Sequence, residues 1–169
     1  MPSRRPGADR LRGVVLYAAA PALLVGCAAG PIAVEPPSPD PDEVGVCEDF
    51  VAALPDELDG KERREVTGGD GLVAAWGDPA IVLTCGVPAP ADFTRASTCV
   101  VANGTGWFVP DSVLQDEDQQ ADVTMTAVSN RPRVEVFLPG EYRPEGFLDT
   151  AGTIGRLVAE ELPLEQRCR

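Results

Sequence analysis

The chain has 169 residues, 44% of them hydrophobic and 24% charged, a balance that fits one globular domain and excludes a wholly disordered or fibrous chain. It carries a formal net charge of −13 and no histidine, which removes Ser-His and Cys-His nucleophilic catalysis, histidine general-base chemistry and every histidine-containing metal site. The acidity argues against nucleic-acid binding, which needs clustered Lys and Arg to neutralise phosphates, and the single lysine, Lys61, leaves little room for Schiff-base or P-loop chemistry.

The first 26 residues read as an export signal. Arg4, Arg5, Arg10 and Arg12 precede an uncharged apolar run from Val14 to Val25, too short for a membrane-spanning helix, which needs roughly 20 residues. Leu24-Val25-Gly26-Cys27 resembles the bacterial lipobox, in which the cysteine is acylated on sulfur and the chain is cut before it. The expectation is a protein held to the extracytoplasmic face of the cell membrane by acyl chains on Cys27. Removing residues 1–26 takes away four arginines and one aspartate and leaves ten basic and 26 acidic residues, a net charge of −16. Such a body is repelled by anionic headgroups and is expected to stand off the bilayer. Residues 27–45, the lipidated cysteine and a Pro- and acid-rich stretch, read as an extended, solvated tether able to lift a domain roughly 50 Å at about 3.1 Å per residue.

Residues 46–169 read as a single α+β domain. Cys47, Phe50, Val51 and Leu54 fall at i, i+3, i+4 and i+7, one face of a short helix that Pro55 closes. Asp70 is expected to cap a second short helix running to Trp76, with Gly77 at its C-terminal end. Ala80–Cys85 is a continuous apolar run and reads as a buried strand. Cys99–Val109 reads as a hairpin, because Asn103-Gly104 accept the positive φ of a two-residue turn. Asp122–Val128 and Arg133–Leu138 alternate apolar and polar residues and read as a strand pair turning at Ser129–Pro132. An amphipathic helix is expected from about Thr150 to Leu162, with Ile154, Leu157, Val158 and Leu162 on its apolar face and Pro163 stopping it. The predicted architecture is a small, mostly antiparallel sheet with an N-terminal short helix and a C-terminal amphipathic helix packed on it.

The segment Ala74-Ala75-Trp76-Gly77-Asp78-Pro79-Ala80-Ile81-Val82-Leu83 with Cys85-Gly86-Val87 resembles an actinobacterial lipoprotein family known as domain of unknown function 3515. Cys47 with Ala53-Leu54-Pro55, Arg63-Arg64, Asn103-Gly104 with Trp107, and Val134-Glu135-Val136 fit the same pattern, over roughly residues 47–162. Members usually read Asn-Gly-Val-Asp-Trp where this chain has Thr105 and Gly106 before Trp107. The resemblance brings no assigned activity, and its gene neighbourhood implies a link to the cell wall.

With Cys27 acylated, Cys47, Cys85, Cys99 and Cys168 remain, an even count that reads as two disulfides in an exported chain. No Cys-x-x-Cys spacing points to zinc or a redox centre. Cys47–Cys85 and Cys99–Cys168 are the expected bonds, the first because both cysteines lie within the family-like pattern; the rival pairing is Cys85–Cys99 with Cys47–Cys168. The acids Asp111 and Asp116–Asp118 do not supply the EF-hand register and read as a solvated loop. No Gly-x-Ser-x-Gly elbow or Ser-x-x-Lys motif is present. Trp76 and Trp107, aided by Arg63, Arg64 and Asp78, are candidates for a sugar- or peptide-stacking platform; the plainer reading is two core tryptophans, a turn aspartate and a solvated arginine pair. The chain is thus expected to be a non-enzymatic binding or interaction module of the cell envelope, without metal or cofactor, meeting an envelope protein or cell-wall partner. A small-ligand binding lipoprotein and a small cell-wall hydrolase are the alternatives.

Overall fold

A computed structural model describes residues 30–94 and 96–167. The expected signal segment, Cys27 and Cys168 lie outside these residues. In chain order the elements are β1 (Ile32–Ala33), α1 (Val44–Ala52), β2 (Glu57–Leu58), β3 (Lys61–Arg64), β4 (Val66–Thr67), β5 (Val73–Trp76), β6 (Ile81–Cys85), β7 (Val100–Ala102), β8 (Thr105–Phe108), α2 (Asp111–Leu114), β9 (Val123–Ala127), β10 (Val134–Leu138) and, after one 3-10 turn at Gly140–Tyr142, α3 (Arg143–Glu161).

The alternation written into the central strands sets the core. Ile81, Leu83 and Cys85 of β6 are buried, as are Val134, Val136 and Leu138 of β10 and Val123, Met125 and Ala127 of β9. Val136 faces Leu83 on one side and Met125 on the other, so these residues share one face. The eight-stranded sheet runs β2-β3-β5-β6-β10-β9-β8-β7, with every neighbouring pair antiparallel. The fold is therefore α+β with a mostly antiparallel sheet and a C-terminal helix on it, as the sequence predicts.

Both long helices cover the inner face. α3 buries Ala151, Ile154 and Val158, with Leu162 just past its end, against β7 to β10. α1 buries Cys47, Phe50 and Val51, and the Cys47–Cys85 disulfide bolts it to β6 across a separation of 38 residues. Cys99 is also disulfide-bonded; its expected partner, Cys168, is outside the described residues. The two edges of the sheet both reach α3: Asp59, at the β2–β3 turn, accepts from the Thr150 hydroxyl, and the Asn103 amide, at the β7–β8 turn, donates to the Gly152 carbonyl at 2.9 Å. The sheet thus coils around the helix. Among the described residues no helix is long and apolar enough to cross a membrane.

Four expectations are corrected. Residues 70–76 form no helix: Val73, Ala74, Ala75 and Trp76 are all buried in strand β5, between β3 and β6. Alanine's helix preference is a fraction of a kcal/mol per residue and is overridden by a ladder buried on both faces. Asp70 and Gly71, both at positive φ, turn the chain into the strand instead of capping a helix. Arg63 and Arg64, in the plainer reading a solvated pair, stand on β3 and donate to backbone carbonyls. α3 begins at Arg143, nearly two turns before Thr150, with Pro144 in its first turn where the missing N–H costs nothing.

The fourth correction concerns the tether. Residues 30–43 form a strap lying on the domain. β1 pairs in parallel with β4, Ile32 N–H donating to Glu65 O at 2.8 Å and Val34 N–H to Thr67 O at 3.0 Å. Pro39 sits over Gly86, where an added Cβ would come within 2.5 Å of it. Arg131 binds Glu43 at 2.9 Å and Asp40 at 3.4 Å. The prolines lack donors, but Ile32 and Val34 keep theirs, and the strap acids meet an arginine of the domain instead of repelling one another into solvent.

Candidate functional site

The residues singled out in the sequence do not assemble into a platform. Trp76 and Trp107 are both 0% exposed, and they stand on β5 and β8, with β6, β10 and β9 between them. Arg63 and Trp76 are cross-strand partners that fasten the same connection. The Arg63 guanidinium donates to Leu54 O and Val51 O, both at 2.9 Å, closing the C-terminal carbonyls of α1, and lies over the Trp76 ring at 5.8 Å from its centroid. The Trp76 indole N–H donates to Pro55 O at 2.9 Å. Arg64 donates to Gly77 O at 2.7 Å and Gly30 O at 2.6 Å, joining the β5–β6 turn to the start of the strap. Asp78 is exposed in that turn. Trp107 packs beneath α3, where Gly155 approaches its indole nitrogen.

A different site is present. A cleft of about 820 Å³ opens where the β2–β3 turn, the β7–β8 hairpin and the first half of α3 converge. Its walls carry Asp59, Glu141 and Asp149, against the one lysine, Lys61, with Tyr142 and Asn103. The Lys61 ammonium sits 4.1 Å from the centre of the Tyr142 ring and donates to Asp59 O at 3.2 Å. Asp59 adopts φ +49° at the tip of the β2–β3 turn, which aims its carboxylate at α3. Burial raises the Tyr142 phenol above its ordinary pKa, and the charges of Glu141 and Asp78 add to this, while a hydrogen bond from the Asp78 backbone opposes it. The phenol, protonated at neutral pH even at its ordinary value, is a hydrogen-bond donor in the cleft wall.

Next to the cleft, a smaller hollow shares Leu148 and Asp149 with it. Its wall is Arg143, 6% exposed, which binds the Asp116 carboxylate and the Val113 carbonyl and so ties the start of α3 to the loop after α2. The Ala121 backbone N–H and the Arg143 guanidinium hold the Asp116 carboxyl below its ordinary range against a desolvation effect that raises it. One member of the acidic cluster is thus a structural ion-pair partner. Among the described residues no group of three or more acids or cysteines is arranged to hold a metal, and the cleft lining has no serine or cysteine.

Sequence reasoning missed the cleft because its residues come from three distant segments and none forms a motif. The faint signals were Asp59-Gly60, a turn dipeptide, and Lys61 as a lone cation in an acidic chain.

With this architecture in place, comparison with known proteins identifies the family. The chain belongs to the family described as Protein of unknown function (DUF3515), whose profile matches residues 11–165. It is also similar to a Mycolicibacterium smegmatis protein named "Uncharacterized oxidoreductase", at 30% identity over 129 residues, covering 70% of this chain and 34% of that protein. The chain thus spans about a third of the length of that relative. No solved structure matches the chain.

Proposed function

We propose that the protein is a non-enzymatic binding module of the cell envelope, anchored by acyl chains on Cys27 to the extracytoplasmic face of the cell membrane, and that its cleft takes an amine-bearing ligand of the cell wall. The cleft carries this reading. A protonated amine brought into it meets the Glu141 and Asp149 carboxylates, in a lining that carries three carboxylates against one ammonium, Lys61, which is itself seated on the Tyr142 ring. The cleft is open and polar, which suits recognition of a solvated group. With no histidine in the chain and no serine or cysteine in the cleft lining, the cleft has no Ser-His or Cys-His nucleophile.

The name of the M. smegmatis relative raises a redox reading. Gly69-Asp70-Gly71-Leu72-Val73-Ala74 even matches the glycine spacing of a dinucleotide loop. Here that run joins β4 to β5, so it has no helix N-terminus to receive a pyrophosphate. The geometry favours binding over hydride transfer in this domain.

The test is titration of the purified mature protein with a wall-derived peptide bearing a free side-chain amine, against the same peptide N-acetylated at that amine. The amine form should bind, with binding weakened about tenfold by Asp149→Asn, the loss of one charge-assisted contact. Equal affinity for the two peptides, or turnover of either, overturns the reading.

A further inference from the structure

We infer that the strap clamps the anchored end of the chain beside the cleft, so that the domain rests on the bilayer surface with the cleft at headgroup level instead of standing off on a tether. This rests on acylation of Cys27. The argument is one of reach. Gly30 is fixed to the domain by the 2.6 Å bond from Arg64, and the next residues are held by the pairing of β1 with β4. Only Ala28 and Ala29 separate Gly30 from Cys27. At roughly 3.3–3.6 Å per residue, Cys27 lies no more than about 11 Å from Gly30 even at full extension. The acyl chains enter the bilayer at Cys27, so the point where the strap starts lies near the headgroups.

That point is next to the cleft. The guanidinium that holds Gly30 O also holds Gly77 O, at 2.7 Å. The Lys61 side chain lies against Gly77, where an added Cβ would stand 3.0 Å from its Cδ. Lys61 in turn lines the cleft and covers Tyr142. From Gly30 the strap runs away from this end, along β4 to Gly86 and then to Arg131. The β5–β6 turn and the Lys61 wall of the cleft are therefore membrane-proximal, and Arg131 stands at the far end of the strap. The net negative charge of the mature chain opposes approach to anionic lipid, but that repulsion decays over about 8 Å at physiological ionic strength, while the covalent reach is fixed.

Lys61, as the chain's one lysine, gives the test its probe. The mature lipoprotein is reconstituted into phosphatidylcholine vesicles doped with a lipid bearing an amine-reactive succinimidyl ester on its headgroup, and the lipid adduct at Lys61 is quantified by peptide mapping. A second protein carries a Gly/Ser insertion of about 20 residues between Ala28 and Ala29, which leaves the strap intact and adds a flexible span of roughly 25 Å. A water-soluble succinimidyl ester normalises the intrinsic reactivity of Lys61 in both. We expect the wild-type protein to form the lipid adduct and the insertion variant to form several-fold less. Equal adduct yields from two vesicle-bound proteins, or no adduct from the wild type while the soluble ester still labels Lys61, overturn the juxtamembrane placement alone. Failure of the wild-type protein to incorporate palmitate and associate with vesicles, while a known lipoprotein does, overturns the anchor and this inference with it.

Discussion

The two halves of the sheet are held by different means. On the β3–β5–β6 side, α1 and the strap are tied down by single links: the Cys47–Cys85 bond, the two Arg63 hydrogen bonds to the end of α1, and Arg64 bridging Gly77 and Gly30. On the β7–β10 side, α3 is seated by close packing along its length, with Gly155 set against Ala102 O and Trp107, and hydrogen bonds from Asn103, Thr105 and Asn130 to the carbonyls of Gly152, Gly155 and Leu162 add to that contact. The tryptophans show the contrast. Both are fully buried, but the Trp76 indole N–H has the Pro55 carbonyl, whereas that of Trp107 has no partner among the described residues. A half built from single links depends on the identity of individual side chains. A half built from packing depends on volume and tolerates an unpaired N–H, because the contact area around it outweighs the missing hydrogen bond.

The largest expected effect falls on the linked half. Replacing Cys47 and Cys85 together by alanine should lower stability by about 2–5 kcal/mol, as expected for opening a loop of this size. Chemical denaturation of the oxidised double variant against the wild type measures it. A loss under about 1 kcal/mol would show that packing of Phe50 and Val51 alone holds α1, and the contrast between the halves would collapse.

The packed half is probed by two glycines one helical turn apart on α3. A Cβ on Gly155 would stand 2.6 Å from Ala102 O and 3.2 Å from the Trp107 indole nitrogen, so the helix must lift off the sheet. Gly155→Ala should cost about 2–3 kcal/mol. At Gly152 the nearest atom is the Asn103 amide nitrogen at 3.3 Å, the end of a side chain that can move. Gly152→Ala should be near neutral, since alanine's gain of up to about 1 kcal/mol in helix propensity offsets the disturbed hydrogen bond from Asn103 to Gly152 O. Thermal unfolding of the two variants separates them, and equal losses would mean that α3 is not closely seated on β7 and β8.

Arg63→Met sharpens the comparison from the other side. Methionine keeps the apolar stem over Trp76 but leaves Leu54 O and Val51 O without their donor. The loss should be about 1–2 kcal/mol, because the site is only partly buried and water replaces part of the bonding. Arg131→Met, whose Asp40 and Glu43 partners lie at the edge of the strap, should cost well under 1 kcal/mol. A reversed order would place the grip on the first half in the strap rather than in α1.

The same contrast explains what the sequence made legible. The packed half is built on periodicity: alternation in Val123–Ala127 and Val134–Leu138, a turn dipeptide at Asn103-Gly104, and the helical spacing of Ile154, Leu157 and Val158. Each can be read from neighbouring residues. The linked half is built from contacts between residues far apart in the chain. Lys61–Arg64 is a strand with four charged residues, and nothing local marks it as one; its arginines are consumed by carbonyls from α1, the β5–β6 turn and the strap. Val73–Trp76 carries helix-favouring alanines and becomes a strand only because β3 and β6 flank it. The cleft is of the same kind, since Asp59, Tyr142 and Asn103 meet only through the coiling of the sheet around α3.

The smallest predicted effect lies on the outer face of the central strands, away from both helices. Glu135 stands on β10 between Thr84 of β6 and Thr126 of β9. Desolvation there raises its carboxyl above the ordinary value of 4.5, which means that the folded chain holds this proton to higher pH than the unfolded chain does. Below the ordinary value both states are protonated and Glu135 costs nothing. As pH rises, the unfolded chain ionises first, and the folded chain must then carry a charge at a half-buried position, so this residue subtracts from stability progressively until the folded carboxyl has also ionised. Glu135→Gln removes the charge and keeps the shape. The variant should match the wild type at pH near 3.5 and become slightly the more stable of the two at pH 7, a difference that does not depend on the many other acids because it is taken between two otherwise identical chains. Unfolding curves across that pH range decide it. A variant less stable than the wild type at pH 7 would mean that the ionised Glu135 makes a favourable contact across the outer face, and that this face is held by links of the first kind.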